Sequence, residues 1–126
     1  MKLFTIKPVY AHCDLPCGVY DPAQAQIEAK SIRAILTKYP DLDDHGKLRA
    51  VIIIEQRAEL VKHHLMVLWA DYFKPEHLEA YPDLHDKFWK AIKQAGDCKH
   101  HLDVVVADSL MTQIDDIAEI FAATRK

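Results

Sequence analysis

Three side chains that suit soft metals or redox chemistry lie close together near the start of the chain. His12, Cys13 and Cys17 belong to the segment "AHCDLPCGVYDP", which turns at Pro16 and Gly18. An imidazole and two thiols therefore fall within six residues of one loop. Spacing alone leaves three kinds of chemistry open for this group.

The first two kinds use the side chains alone. Structural zinc usually takes four side-chain ligands, often from C-x-x-C pairs, and this segment offers three ligands without that spacing. A reversible disulfide between Cys13 and Cys17 is the second kind, and it also lacks the C-x-x-C spacing of thioredoxin-like redox motifs. The spacing favours neither.

The third kind adds nitrogen atoms of the backbone. Cleavage of the chain before His12 would expose a terminal amine beside the Cys13 amide nitrogen. With the thiolates of Cys13 and Cys17, these nitrogens can form a planar N2S2 set, and the His12 imidazole can bind above the plane. Square-planar, nitrogen-rich sites are typical of nickel(II) or copper(II), and thiolates add softness.

The eleven residues before His12, "MKLFTIKPVYA", make a poor secretory signal. Lys7 and Pro8 interrupt the apolar stretch, which falls short of the roughly 7–15 residues of a signal-peptide core. Ala11 is a small residue at a candidate cleavage site. Three cysteines, an odd count, argue against a disulfide framework, and clustered cysteines in cytoplasmic proteins more often bind metal or act in redox chemistry. We expect a cytoplasmic protein.

Charge and composition exclude two classes of partner. The formal net charge is −3 at pH 7, so we expect no nucleic-acid partner. No apolar run approaches the ~20 residues that span a bilayer, so we expect no membrane partner. A chain of 126 residues, half of them hydrophobic and only three of them glycine, suits one helical domain with its own core.

Apolar periodicity, prolines and glycines predict four helices that must position the loop. The predicted helices run from Pro22 to Tyr39, along a seam from Val51 to Tyr72, from Pro82 to Gly96, and from Lys99 to Thr124. The seam of the second helix steps by three and four residues, as packing on partner helices requires. Short connections between four helices predict an all-α fold, an antiparallel up-down four-helix bundle.

One carboxylate of the first predicted helix lies on its apolar stripe. Glu28 is followed on that stripe by Ile32, Ile35 and Tyr39, at steps of four, three and four. A carboxylate among apolar side chains costs free energy unless it is paired or hydrogen-bonded. Glu28 therefore either lies at the wet end of the stripe or has a partner.

The segment "HCDLPCGVYDPAQAQIEA" closely resembles the nickel-binding hook and first helix of nickel-containing superoxide dismutases. "EQRAELVKHH" and "VLWADYFKP" resemble the second helix of that family and its exit. The resemblance runs from His12 to about His85, with a looser helical match beyond, and the hook comprises the nine residues His12–Tyr20. It implies that residues 1–11 are a pro-sequence removed on maturation and that residues 12–126 form a single four-helix-bundle domain.

The resemblance implies a nickel-dependent superoxide dismutase, which disproportionates superoxide to dioxygen and hydrogen peroxide by Ni(II)/Ni(III) cycling. One nickel ion per subunit would be bound by the thiolates of Cys13 and Cys17, the Cys13 amide nitrogen, and the terminal amine and imidazole of His12. Anionic thiolate and amide donors stabilise the higher valence of nickel. Because all these ligands must lose protons, nickel affinity should fall in acid.

The resemblance also assigns roles around the metal. Glu28 and Arg57 would orient the axial imidazole of His12, as residues behind a metal ligand commonly do. Tyr20 and Tyr72 would line the access path and position an anion or water through their hydroxyls. For a tyrosine or an arginine on a helix, ordinary packing or solvation is the alternative interpretation.

The remaining expectations concern Lys74 and the partners of the protein. The positive charge of Lys74 would attract the superoxide anion, and an ordinary surface lysine is the alternative. The implied partners are superoxide, a processing peptidase and the other subunits of a homohexamer, whose neighbouring chains would cover the hook. We expect the Leu15–Pro16 peptide bond to be cis, as a tight turn favours.

Two other clusters of metal-binding residue types are interpreted as structural. His63, next to His64, lies one turn beyond Glu59, but di-metal sites in bundles use Glu-x-x-His from two helices, and this chain has none. Cys98 and its neighbours in "DCKHH" lack a fourth ligand nearby in sequence, so we expect them in a solvated loop.

Two further functions fit the hook residues. A nickel or copper carrier would use the same ligands without turnover and would pass the metal rapidly to an acceptor. A thiol-redox protein would use Cys13 and Cys17 and would form a reversible, metal-independent disulfide.

Overall fold

Five helices make up most of the part of the chain that the computed structural model describes, residues 18–125. The helices are α1 (Ala23–Lys38), α2 (Asp44–Val67), α3 (Pro75–Ala80), α4 (Leu84–His100) and α5 (Val104–Thr124). A 3-10 turn, Tyr39–Asp41, follows α1, and a π-helical turn, Leu68–Tyr72, extends α2. The leader and hook residues up to Cys17, and with them the Leu15–Pro16 bond, lie outside the described residues.

The four long helices pack around one core, with α1 and α4 each lying between α2 and α5. Contacts across α1 and α5 run in opposite directions along the two helices. Gln26 donates a hydrogen bond to Asp115, whereas Arg33, seven residues later, pairs with Asp108, seven residues earlier. The predicted all-α antiparallel four-helix bundle is confirmed. No helix within residues 18–125 combines the length and the apolar character needed to cross a membrane.

Aspartates set the starts of three helices. The Asp43 carboxylate accepts the Gly46 N–H at 2.7 Å and so satisfies one of the free donors in the first turn of α2. Asp21 accepts the Ala23 N–H at 2.7 Å, directly after the hook. Asp103 plays the same part at the start of α5. The entry of the chain into α1 is therefore held by the Asp21 carboxylate, one residue before the N-cap Pro22.

The predicted seam of α2 is largely confirmed. Its buried residues continue into the π-helical turn and are Ala50, Ile54, Ala58, Val61, Leu65 and Leu68. Val51, predicted to begin the seam, is exposed instead, because Ala50 lies one full turn before Ile54 and occupies the inward position.

The predicted boundary between the last two long helices is wrong. α4 continues through Gly96 to His100, and α5 begins at Val104 rather than at Lys99. Glycine inside a helix costs only about 1 kcal/mol relative to alanine, which packing and a further turn of hydrogen bonds can outweigh. The Asp103 cap then gives α5 its start.

Cys98 is a buried core residue, so its expected place in a solvated loop is also wrong. It continues the buried stripe of α4 three residues after Ala95. Burial, with a smaller effect of the Asp97 charge, raises the pKa of the Cys98 thiol to about 11. Since the thiolate is the reactive form of cysteine, this thiol is chemically quiet at neutral pH.

We expect Gly96→Ala to raise the free energy of unfolding by about 0.5–1 kcal/mol, because alanine loses less backbone entropy in a helix. The added Cβ would meet only the Lys62 side chain, with Nζ at 3.5 Å, which is ordinary contact. Urea unfolding measures the change. Ala34→Gly, at an exposed position inside α1, is the matched reverse variant and should lower stability by a similar amount. A destabilised Gly96→Ala protein would contradict this reading.

The thiol of Cys98 should not react with an aromatic disulfide reagent at pH 8 while the bundle is folded. Replacing Cys13 and Cys17 by serine leaves Cys98 as the only thiol of the chain. Absorbance of the released thiolate should then rise only when urea unfolds the protein. Stoichiometric reaction within seconds in the folded variant would show that the thiol is accessible after all.

Candidate functional site

The described part of the chain begins where the hook joins the bundle. The metal-binding candidates His12, Cys13 and Cys17 lie outside the described residues, whereas Gly18 and Tyr20 lie within them. Gly18 has φ +87°, a left-handed conformation that favours glycine. No group of three or more His, Cys, Asp or Glu side chains within residues 18–125 is arranged to hold a metal ion.

Tyr20 anchors the end of the hook in the core. Its side chain is buried, and its ring centroid lies 6.3 Å from that of Tyr72. Two of the four predicted catalytic residues are therefore neighbours, although they are far apart in sequence. Burying an aromatic ring supplies substantial apolar stabilisation, so this contact ties the hook to the bundle.

Tyr72 ends the π-helical turn and is held by aromatic rings. Its ring centroid lies 4.5 Å from that of Phe121 and 5.0 Å from that of Phe73. The imidazole of His77 stacks on it, with 15° between the planes. The Tyr72 hydroxyl is hydrogen-bonded to Thr124 Oγ1 at 3.0 Å. Tyr72 thus packs against the core, and its hydroxyl has a defined position. It also ends a π-helical turn, a feature that is frequent at functional sites.

Glu28 and Arg57 form an ion pair across α1 and α2. Arg57 Nη1 lies 2.8 Å from Glu28 Oε2, and the Glu28 side chain is 13% exposed against 41% for Arg57. The question raised by the apolar stripe is therefore answered: the carboxylate has a partner, and a charge-assisted hydrogen bond offsets part of its burial. The structure brings together the two residues that the resemblance assigned to the metal end.

His64 is a further residue of this region, and its link to Glu28 was missed by the sequence interpretation. Burial lowers the pKa of the His64 imidazole, the neighbouring His63 lowers it further, and the Glu28 carboxylate opposes both effects. Since His64 follows Arg57 by seven residues on α2, both lie on the same side of the helix. This seven-residue spacing was the feature of the sequence that could have placed His64 near the Glu28–Arg57 pair.

Lys74 is a partly shielded cation at the start of α3. Its Nζ lies 3.8 Å from Glu76 Oε1. Its backbone N–H donates to His77 Nδ1 at 3.1 Å, and burial lowers the pKa of that imidazole. The negative charge of Glu76 therefore partly offsets the positive charge of Lys74, which weakens the attraction of Lys74 for an anion.

The donor chemistry of the hook suits nickel. Two thiols, an imidazole and backbone nitrogens combine soft sulfur with the nitrogen ligands that nickel(II) and copper(II) prefer. The oxygen ligands that magnesium or calcium would require are not part of this set.

A family model described as nickel-containing superoxide dismutase matches residues 7–125. The chain belongs to this family. Superoxide dismutase [Ni] of Streptomyces seoulensis is 52% identical over 127 residues, covering 99% of this chain and 97% of the relative. The protein of the same name from Streptomyces coelicolor is 50% identical over 127 residues, with the same coverage of 99% and 97%. The resemblance read from the sequence is confirmed.

Solved nickel superoxide dismutase structures share the fold. The native structure refined at 1.30 Å has a TM-score of 0.86 and 49% identity, with 90% of this chain and 97% of that chain covered. The apo structure has a TM-score of 0.83 and 47% identity, with 85% and 97% covered. The fold of this chain therefore matches both the native and the apo structure of nickel superoxide dismutase.

Replacing Arg57 by methionine should lower the free energy of unfolding by about 1–3 kcal/mol, because it leaves the Glu28 carboxylate without its partner. Urea unfolding of the metal-free protein measures the change, and adding Glu28→Gln should restore most of it. Arg33→Met is the matched control, since its partner Asp108 is 47% exposed and such pairs contribute under about 1 kcal/mol. Equal losses in the two arginine variants would contradict a special role for the Glu28 pair.

Proposed function

We propose that this chain is the precursor of a nickel-dependent superoxide dismutase and that cleavage before His12 completes its metal site. One observation carries the proposal. The ligand-bearing hook His12–Tyr20 is joined to a bundle that matches a nickel superoxide dismutase with a TM-score of 0.86. The reaction converts two superoxide ions and two protons into dioxygen and hydrogen peroxide.

The hook residues would hold one nickel ion per subunit. Cys13 and Cys17 supply thiolates, Cys13 also supplies its amide nitrogen, and His12 supplies its terminal amine and imidazole. When bound, nickel supplies the one-electron chemistry that takes an electron from one superoxide ion and gives one to another. Because each ligand binds in its deprotonated form, acid weakens the site.

Glu28 and Arg57 are the residues that would orient the His12 imidazole. A carboxylate that accepts the second ring N–H of a histidine ligand sets its tautomer and its direction. The 2.8 Å contact with Arg57 holds the Glu28 carboxylate in place for this task. The ion pair therefore acts through the imidazole and does not touch the substrate.

Tyr20 and Tyr72 would bound the path to the metal. Their rings are neighbours at the base of the hook, and the Tyr72 hydroxyl is held by a hydrogen bond. Lys74 would add positive charge near this end, reduced by its contact with Glu76.

Removal of the segment Met1–Ala11 is a further part of the proposal, and it is supported by the resemblance of the hook that follows this segment. A processing peptidase would cut before His12, because an uncut His12 nitrogen is a peptide amide rather than an amine.

Assembly and location are further parts of the proposal. We propose a homohexamer of bundles in the cytoplasm, with neighbouring subunits covering the hook. Support comes from large apolar side chains that are exposed on the single chain, among them Leu48 and Ile52 on α2 and Trp89 on α4. Exposed apolar surface of this kind is often buried in assemblies.

Protein cut before His12 and loaded with nickel should remove superoxide, whereas the uncut chain loaded in the same way should be inactive. The reason is that only the cut chain carries the terminal amine. Stopped-flow decay of superoxide absorbance measures the rate, and metal analysis measures the bound nickel.

The matched control is the cut Cys17→Ser protein, which should lose activity while its helical circular dichroism is unchanged. Equal activity of the cut and uncut chains would overturn the proposed site. Rapid transfer of nickel to a chelator without dismutation would indicate a carrier instead.

A further inference from the structure

The hydroxyl of Tyr72 has a neighbour at the far end of the chain. Thr124, the last residue of α5, places its Oγ1 3.0 Å from the Tyr72 hydroxyl oxygen. The same Oγ1 lies 2.9 Å from the carbonyl oxygen of Phe121. Three oxygen atoms therefore form a short chain of hydrogen bonds.

Counting protons gives this chain a direction. A carbonyl oxygen can only accept, whereas each hydroxyl has one proton to donate. The Thr124 proton goes to the Phe121 carbonyl, so the proton between Thr124 and Tyr72 must come from Tyr72. The Phe121 carbonyl also accepts the Arg125 N–H at 3.1 Å, so both of its lone-pair positions are used.

We propose that Thr124 is a positioning residue that takes the phenol proton of Tyr72, so that the Tyr72 oxygen offers only lone pairs to the access path. Its consequence for catalysis rests on the proposed function. Its geometric basis is independent of that function, because it depends on two contacts of the bundle.

The surroundings hold the Tyr72 ring, and with it the hydroxyl oxygen, in place beside Thr124. The ring is packed against Phe121, and His77 stacks on it. The end of α5 is also tied to the base of the hook, since Arg125 Nη1 lies 4.0 Å from Asp21 Oδ2. The helix that carries Thr124 therefore ends beside Asp21, the residue directly after the hook.

The direction of this proton decides what Tyr72 can do for a small anion. With its proton held by Thr124, the hydroxyl accepts a hydrogen bond from water or from hydrogen peroxide and does not donate one to superoxide. Tyr72 is then not the source of the protons that the reaction consumes. A bare anion binds weakly beside it, which favours release over retention.

Inhibition by azide, a small anion, tests this orientation. Thr124→Val removes the acceptor with little change of shape and frees the Tyr72 proton, so the azide inhibition constant should fall roughly ten- to hundredfold, the effect of one new hydrogen bond to a charged group. Thr124→Ser keeps the hydroxyl and should behave as wild type. Thr112→Val, which removes another α5 hydroxyl bonded to a carbonyl of its own helix, is the control and should change nothing.

A double-mutant cycle separates this role from a merely structural one. In a Tyr72→Phe background, Thr124→Val should leave the inhibition constant unchanged, because no phenol proton remains. An inhibition constant in Thr124→Val equal to or above that of wild type would overturn the proposal. An equal effect of Thr124→Val in the presence and absence of the Tyr72 hydroxyl would overturn it as well.

Neutron diffraction of the deuterated, nickel-free protein tests the orientation without any activity. Deuterium density on the Tyr72 oxygen directed at Thr124 is the expected result. Density on Thr124 Oγ1 directed at Tyr72 would overturn the proposal, whatever the activity. If the nickel-loaded protein does not dismutate superoxide, the proposed function fails, and the neutron result still decides the proton position.

Discussion

The ion pair between Glu28 and Arg57 is the contact on which the packing of α1 against α2 depends at this end of the bundle. A carboxylate on the apolar stripe of α1 is tolerated only because an arginine from α2 lies 2.8 Å from it. The pair therefore couples the register of two helices to the position of one charged group. Any loss of register between α1 and α2 would leave a charge poorly solvated, so packing and site geometry are maintained by the same interaction.

The packing of Tyr20 against Tyr72 likewise ties a predicted site residue to the core of the bundle. Tyr20 is the last residue of the hook and is buried. Its ring packs against Tyr72 of the π-helical turn, which in turn packs against Phe121 of α5. A terminal segment has too few contacts to order itself, so the bundle must supply them. The first and last described segments of the chain thus meet at one place.

The sequence predicted the bundle and much of the candidate site because both rest on local rules. Steps of three and four residues identified the seam of α2, and the polar exception Glu28 was visible as a break in such a pattern. The end of α4 was mispredicted because Gly96 was read as a stop, although Cys98 continued the stripe. The contact between Tyr72 and Thr124 spans 52 residues, and no pattern in one sequence reports a pairing of that kind. The link of His64 to Glu28 likewise depends on how two helices face each other.

The burial of Cys98 has a consequence for the lifetime of the protein. Hydrogen peroxide oxidises accessible thiolates to sulfenic and then to irreversible sulfinic and sulfonic acids. The core thiol, protonated and shut away from water, escapes this chemistry, and the remaining two thiols of the chain lie in the hook. Oxidation of thiols is thereby confined to Cys13 and Cys17, which are not part of the described core. A molecule with oxidised hook thiols would keep its fold, so oxidation would lower the fraction of active molecules rather than cause aggregation.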